Sequence, residues 1–195
     1  MLINEEKTHE MIITNFRNPL TLGPSYIRGK EVQRVDSIKI LGLTLNSNLK
    51  WETELDNKLS KAKKLAYALR HLSFTHPVGD IKQLFESVFI PSLLYCCQTW
   101  CNITDGQFHQ LQAVCDRASR FANSKVDVRT LVLSNVFDLF VKSLDPSHPL
   151  NYITKSCERT NNTVARRPRL LSEKSKSARY HKSFLPTAVR LFNES

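Results

Sequence analysis

Ser37–Leu72, SIKILGLTLNSNLKWETELDNKLSKAKKLAYALRHL, decides how the rest of the chain is read. It opens on a short apolar strand, Ile38 to Leu45, and passes through a polar turn, Asn46-Ser47-Asn48. A long basic amphipathic helix follows. Trp51, Leu55, Leu59, Ala62, Ala66 and Leu69 recur in it at steps of three and four, the helical period. Lys58, Lys61, Lys63, Lys64 and Arg70 occupy its other faces. Asn48 or Ser47 is the candidate cap. Glu52 and Glu54 in the first turn, with lysines later, suit the helix dipole. Glu54 and Lys58 form an i,i+4 pair worth a few tenths of a kcal/mol. Strand, turn and basic helix together make a platform that lays positive charge along an acidic partner.

Upstream, Met11-Ile12-Ile13 reads as a short strand ending near Arg17, with Asn18-Pro19 as a stop. A second short strand falls at Tyr26–Ile27, and Gly29-Lys30 turns it into Glu31 to Val35. With Ile38 to Leu45 these form a small antiparallel sheet, Gly42 marking a bulge or a close backbone approach. Downstream, Thr75-His76-Pro77 ends the basic helix. The next helix starts near Asp80 with an apolar stripe of Ile81, Leu84, Phe85, Val88 and Phe89, and Pro91 kinks or splits it. Leu93, Leu94, Tyr95 and Trp100 continue this most apolar part of the chain, the expected core.

After a turn at Asn102 to Asp105, a helix from about Gln107 to Ala122 buries Phe108, Leu111, Val114, Cys115, Ala118 and Phe121, with Arg117 and Arg120 off the stripe. Another runs from about Val128 to Leu144, with Leu139 and Phe140 inward, and Asp145-Pro146 ends it. From Lys155 to Ser195 there are ten Lys/Arg against three Asp/Glu, so +7 of the net +10 lies there. That polar run has too little apolar surface to offset the entropy of ordering, and reads as an extended basic arm. Phe184 to Phe192 regains helical spacing and is expected to dock on the core.

At 195 residues the chain makes one domain or two small ones. A hydrophobic share of 41% supports a core. There is no GxGxxG or Walker pattern, and no apolar run reaches the roughly 18 residues of a membrane span. MLINEEKTHE lacks an apolar signal core. The expectation is a soluble intracellular protein, nuclear or cytoplasmic, with no membrane partner. A net charge of +10 favours polyanions, here RNA or DNA held non-specifically through phosphates.

The chain has five cysteines. Cys97, Cys101, His109 and Cys115 match a three-thiolate, one-imidazole zinc set by residue type. They sit among Leu94, Tyr95, Trp100, Leu111 and Val114 in two apparent helices, so the alternative is that small apolar cysteines fill a helical core. There is no nucleophile elbow, no HExxH, no H-x-D and no Asp-Asp dyad. The residues therefore read as a binding module without a catalytic site or cofactor. In the tail, Arg166-Arg167-Pro168-Arg169 is compact, and Tyr180 and His181 interleave with Arg179 and Lys182. Phosphate contacts there would be strongly salt-sensitive.

Taken in order, LINEEKTHEMIITNFRNPL, VQRVDSIKILGLTLNSNLKWETELDNKLSKAKKLAYALRHL, LFESVFIPSLLYCCQTW, LQAVCDRASRF and HKSFLPTAVRLFN resemble the C-terminal third of a non-LTR (LINE-type) retrotransposon reverse transcriptase. The resemblance runs from Leu2 to about Phe121 and returns at Lys182 to Asn193. It implies that Asn4 to Thr8 is a palm motif whose lysine, Lys7, lies near the incoming nucleotide. It implies that Leu41-Gly42-Leu43 belongs to the primer-grip hairpin, and that Leu49 to Leu72 is the first thumb helix, tracking the primer–template minor groove. The family's activity is RNA-directed DNA synthesis with Mg²⁺. The motifs carrying its catalytic aspartates lie upstream of the residues matched here, so Met1 is expected to fall inside an older reading frame and this chain alone is not expected to polymerise. Similar pieces are also grouped with the short N-terminal domain of AlkB-like alkylation-repair and tRNA-modification proteins. This chain has neither the iron motif nor the glycine loop of those chemistries.

The resulting expectation is an α+β, mainly α protein: a remnant palm edge over 1–48, a thumb-like helical bundle over 49–149, and a basic tail over 150–195. Lys58, Lys61, Lys64, Arg117, Arg120, Arg166, Arg167 and Arg169 are the candidate phosphate contacts. The alternative is an inert or partner-binding fragment, marked by an exposed sheet edge and exposed core.

Overall fold

The computed structural model describes residues 4–14, 22–155, 157–160, 169–171 and 177–195. The fold is α+β and mainly helical. The chain divides into two compact units, Met1–Lys58 and Leu59–Ser195, the boundary lying inside the long basic helix. The segment expected to form a separate tail belongs to the second unit.

In the first unit, β1 (His9–Glu10), β2 (Tyr26–Ile27), β3 (Lys30–Glu31), β4 (Gln33–Arg34), β5 (Ser37–Ile40) and β6 (Leu43–Asn46) form three two-stranded ladders rather than one sheet. β2–β3 and β5–β6 are antiparallel, and β1–β4 is parallel. Strand β1 precedes Met11-Ile12-Ile13, which is not in a strand, and the expected stop at Asn18-Pro19 lies outside the described residues. The expected single strand at Ile38 to Leu45 is a hairpin. Leu41 (φ 49°) and Gly42 (φ 87°) are its two turn residues, both left-handed as a type I′ turn requires. Gly42 is thus the second corner of a turn and not a bulge. Arg28 (φ 49°) and Gly29 (φ 80°) repeat this geometry between β2 and β3. Glu10 ties the ladders together: Ser25 Oγ donates to its carboxylate at 2.7 Å and Arg34 Nε at 3.0 Å.

The helix α1 spans Glu52–Leu72. Leu55, Leu59, Ala62, Ala66 and Leu69 are all buried, as their spacing dictates, whereas Trp51, expected to open the stripe, precedes α1 and is half-buried. Three hydrogen bonds fasten β6 to the first turns of α1. Thr44 N donates to Glu54 Oε2 at 2.8 Å, Asn46 Nδ2 to Thr53 Oγ1 at 3.0 Å, and Asn57 Nδ2 to Thr44 Oγ1 at 3.3 Å.

In the second unit, α2 (Val78–Leu84) runs into a π turn, Phe85–Phe89, and then into α3 (Ile90–Leu94). Pro91 sits in the first turn of α3, where its missing N–H costs least. Ile90 N donates to Phe85 O, the wide bond of a π turn. Phe85 and Phe89 stay inward, stacked with ring centroids 5.3 Å apart. Val88, expected in the buried stripe, is 47% exposed, because the wide turn shifts the helical phase.

After α4 (Cys97–Trp100), a capping box starts α5 (Asp105–Ala122): Thr104 Oγ1 accepts from Gln107 N, and Gln107 Oε1 accepts from Thr104 N at 2.8 Å. Phe108, Leu111, Val114, Cys115 and Ala118 are buried in α5, and Phe121 is half-buried. In α6 (Val128–Ser143), capped by Asp127, Val128, Val132, Val136 and Phe140 face inward and Leu139 is half-buried. α7 (Asn151–Thr154) closes α6, with Asn151 Nδ2 and Thr154 Oγ1 both donating to Ser143 O. β7 (Glu158–Thr160) and β8 (Arg169–Leu171) pair antiparallel, and α8 (Ala178–His181) leads into α9 (Phe184–Glu194). The expected docking of the last segment is what occurs. α9 packs on α6, with Phe140 and Phe192 edge to face at 5.8 Å, and the Asn193 side chain bonds both Leu170 N and Leu170 O. Part of the expected extended arm is therefore folded.

Candidate nucleic-acid interface

A groove of about 270 Å³ lies in the second unit between α1 and α5. Lys63, Ala66, Tyr67 and Arg70 line it from α1, and Val114, Arg117, Arg120 and Phe121 from α5. The buried residues Ala66 and Val114 form its apolar floor. Burial of the stripe along α1 leaves Lys63, Tyr67 and Arg70, at i, i+4 and i+7, on one adjoining face. Arg117 and Arg120 stand off the buried stripe of α5 in the same way. The lining thus holds four cations and no carboxylate. Among the described residues none of the four makes an ion pair. Four like charges converging without a counter-charge repel one another, and an anion in the groove relieves that repulsion.

Of the expected phosphate contacts, Arg117 and Arg120 are brought together here, and Lys63 and Arg70 join them in place of the other lysines. At about 100° per residue, Lys64 and Lys61 lie about 100° and 160° round the helix from Lys63. Both are exposed but on other faces. Lys58 does not line the groove. Its side chain is 6% exposed and its Nζ lies 3.5 Å from Glu54 Oε1, so its charge is already matched inside the first unit. Arg166 and Arg167 lie outside the described residues, and Arg169 is described only by its backbone pairing with Thr160 in β8. Lys7, near the nucleotide by resemblance, is exposed at the end of a short 3-10 turn, Glu5–Lys7, in the first unit. Projecting α1 on a helical wheel centred on the buried Ala66 is the signal that selects Arg70 and Lys63, about 40° and 60° away, over Lys64, about 160° away.

The cysteine set does not converge: among the described residues no three of His, Cys, Asp and Glu form a metal-holding group. Cys97, Cys101 and Cys115 are buried, whereas His109 is exposed on α5. Burial pushes the Cys101 and Cys115 thiols up to about 11, away from the thiolate a metal ligand needs. Cys101 Sγ donates to Gln98 O at 3.4 Å. These residues act as small core side chains. No helix among the described residues is long and apolar enough to cross a membrane.

Comparison with known proteins gives no match to any family model, curated protein or solved structure.

Proposed function

We propose that this chain binds RNA or DNA through its phosphates, as the palm-edge and thumb region of a non-LTR-type reverse transcriptase. The observation that carries the binding is the uncompensated cation set of Lys63, Arg70, Arg117 and Arg120 around one groove. Hydrogen bonds from Arg and Lys to phosphate are charge-assisted and read no bases, so the binding is non-specific in sequence. The ordered sequence resemblance supports the reverse-transcriptase part of the reading. These residues hold no Asp-Asp dyad, so the reading assigns them affinity for nucleic acid and no nucleotidyl transfer.

The test is fluorescence anisotropy of a labelled mixed-sequence oligonucleotide between about 50 and 200 mM salt, a range over which phosphate-driven binding weakens steeply. Binding that falls linearly on a log–log plot, and that is indifferent to sequence, is the expected result. Binding that ignores salt counts against it. A primer-extension assay on homogeneous protein is expected to give no product.

A further inference from the structure

The groove carries aromatic rings as well as charge. Tyr67 lines it and is 62% exposed. The Tyr67 and His71 rings meet edge-on with centroids 4.3 Å apart, and His71 meets Phe74 the same way at 6.4 Å. Phe74 is 72% exposed, and half-buried Phe121 forms part of the α5 wall. A single exposed aromatic is ordinary. Tyr67 and His71 on α1, with Phe74 in the turn just past its end and beside four cations that make no ion pair, form a surface with two affinities at once: π faces and negative charge.

Duplex nucleic acid offers only the second of these, because its base faces are already stacked on one another. A single strand offers both, and stacking on aromatic side chains is worth roughly 1–3 kcal/mol per base. The groove is too small for a duplex to enter. Its volume of about 270 Å³ lies just below the roughly 300–1,000 Å³ of pockets that enclose drug-sized ligands, room for one base with its phosphates at the rim.

We infer that the α1–α5 groove takes single-stranded nucleic acid, one base seated between Tyr67 and Phe121 with its flanking phosphates on Lys63, Arg70, Arg117 and Arg120. The His71–Phe74 rings extend the track to a neighbouring base. This rests on the phosphate-binding reading and adds to it the strandedness of the ligand and the residue that senses it. Arginine at the rim adds a cation–π contribution to the seated base.

The experiment compares anisotropy of labelled dT15, U15, an abasic 15-mer and a 15-bp duplex on the full chain and on Tyr67→Leu and Tyr67→Phe. Tyr67 is exposed, so neither change disturbs the core. The expected result is tighter binding of dT15 or U15 than of the abasic strand. Loss of the ring in Tyr67→Leu is expected to weaken dT15 at least about fivefold, as loss of one stacked base requires. Tyr67→Phe should stay within about twofold, and duplex affinity should not change. Comparing U15 with dT15 tells RNA from DNA. If abasic and dT15 strands bind alike, or Tyr67→Leu binds dT15 as the parent does, the stacked base is wrong while phosphate binding stands. If no oligomer binds at low salt, both readings fall.

Discussion

Lys58 Nζ lies 3.5 Å from Glu54 Oε1 with both side chains almost fully buried, 6% and 5% exposed. The other oxygen, Glu54 Oε2, accepts Thr44 N at 2.8 Å, so one carboxylate joins the β5–β6 hairpin to the start of α1. Removing one partner of a buried pair leaves the other as an uncompensated charge, which costs about 3–5 kcal/mol, whereas exchanging both for apolar groups is often nearly neutral. Lys58→Ala is therefore expected to lower stability in urea by about that amount. Glu54→Leu with Lys58→Met should lose less than Lys58→Ala alone, retaining chiefly the cost of the unpaired Thr44 N–H. Lys58→Met read at low salt should bind nucleic acid as the parent does, because this lysine takes no part in the groove.

The groove predicts a salt slope. Four phosphate contacts on a single strand give a log–log slope of about −3, and Arg117→Ala with Arg120→Ala should bring it to about −1.4. Both arginines are exposed, so the double variant should melt with the parent. An unchanged slope would remove them from the contact set.

The buried thiols predict an order of reactivity and an alkaline limb. Half-buried Cys96 should be alkylated first at neutral pH, and Cys101, Cys115 and Cys157 only on unfolding. Burial raises all three, Cys101 and Cys115 to about 11. The folded state thus holds the proton more tightly than the unfolded chain. The stability this represents is complete below the ordinary value of 9.0 and is lost as pH rises through about 11. Cys115→Ala should shallow that limb in pH-dependent denaturation, while adding the cost of a small cavity.

At the acid end, Asp127 caps α6. Hydrogen bonds from the Thr130 hydroxyl and from Thr130 N hold its carboxyl below the ordinary 3.8. A depressed carboxyl contributes stability that is complete above 3.8 and fades as pH falls through the folded value. Asp127→Ala should cost about 1 kcal/mol at neutral pH, and Asp127→Asn should keep most of the cap while flattening the acid limb. Thermal melts between pH 2 and 7 read both.

The long helix and its buried face were legible because Leu55, Leu59, Ala62, Ala66 and Leu69 keep the helical period without interruption. The hairpin inside Ile38 to Leu45 was not, since Leu41 is a poor candidate for a left-handed turn position and only Gly42 signalled a break. Val88 leaves the buried stripe because a π turn changes the helical phase without leaving a mark in hydropathy. The site was half legible. Arg117 and Arg120 stand out beside an apolar stripe, but lysine density alone also selected Lys58, whose partner Glu54 was visible four residues away without any sign that the pair would be buried. The same density selected Lys61 and Lys64, which angular position on α1 separates from the groove. The cysteine spacing resembled a ligand set only until helical geometry put His109 on the solvent face of α5.

The most direct measurement is a salt titration of oligonucleotide binding on Arg117→Glu/Arg120→Glu beside Lys61→Glu/Lys64→Glu, two variants with the same change in net charge. Loss of nearly all binding in the arginine variant, with the lysine variant reduced only as overall charge requires, is the result the groove predicts. Equal losses in the two would mean that the protein holds nucleic acid by diffuse charge, and the α1–α5 groove would not be its site.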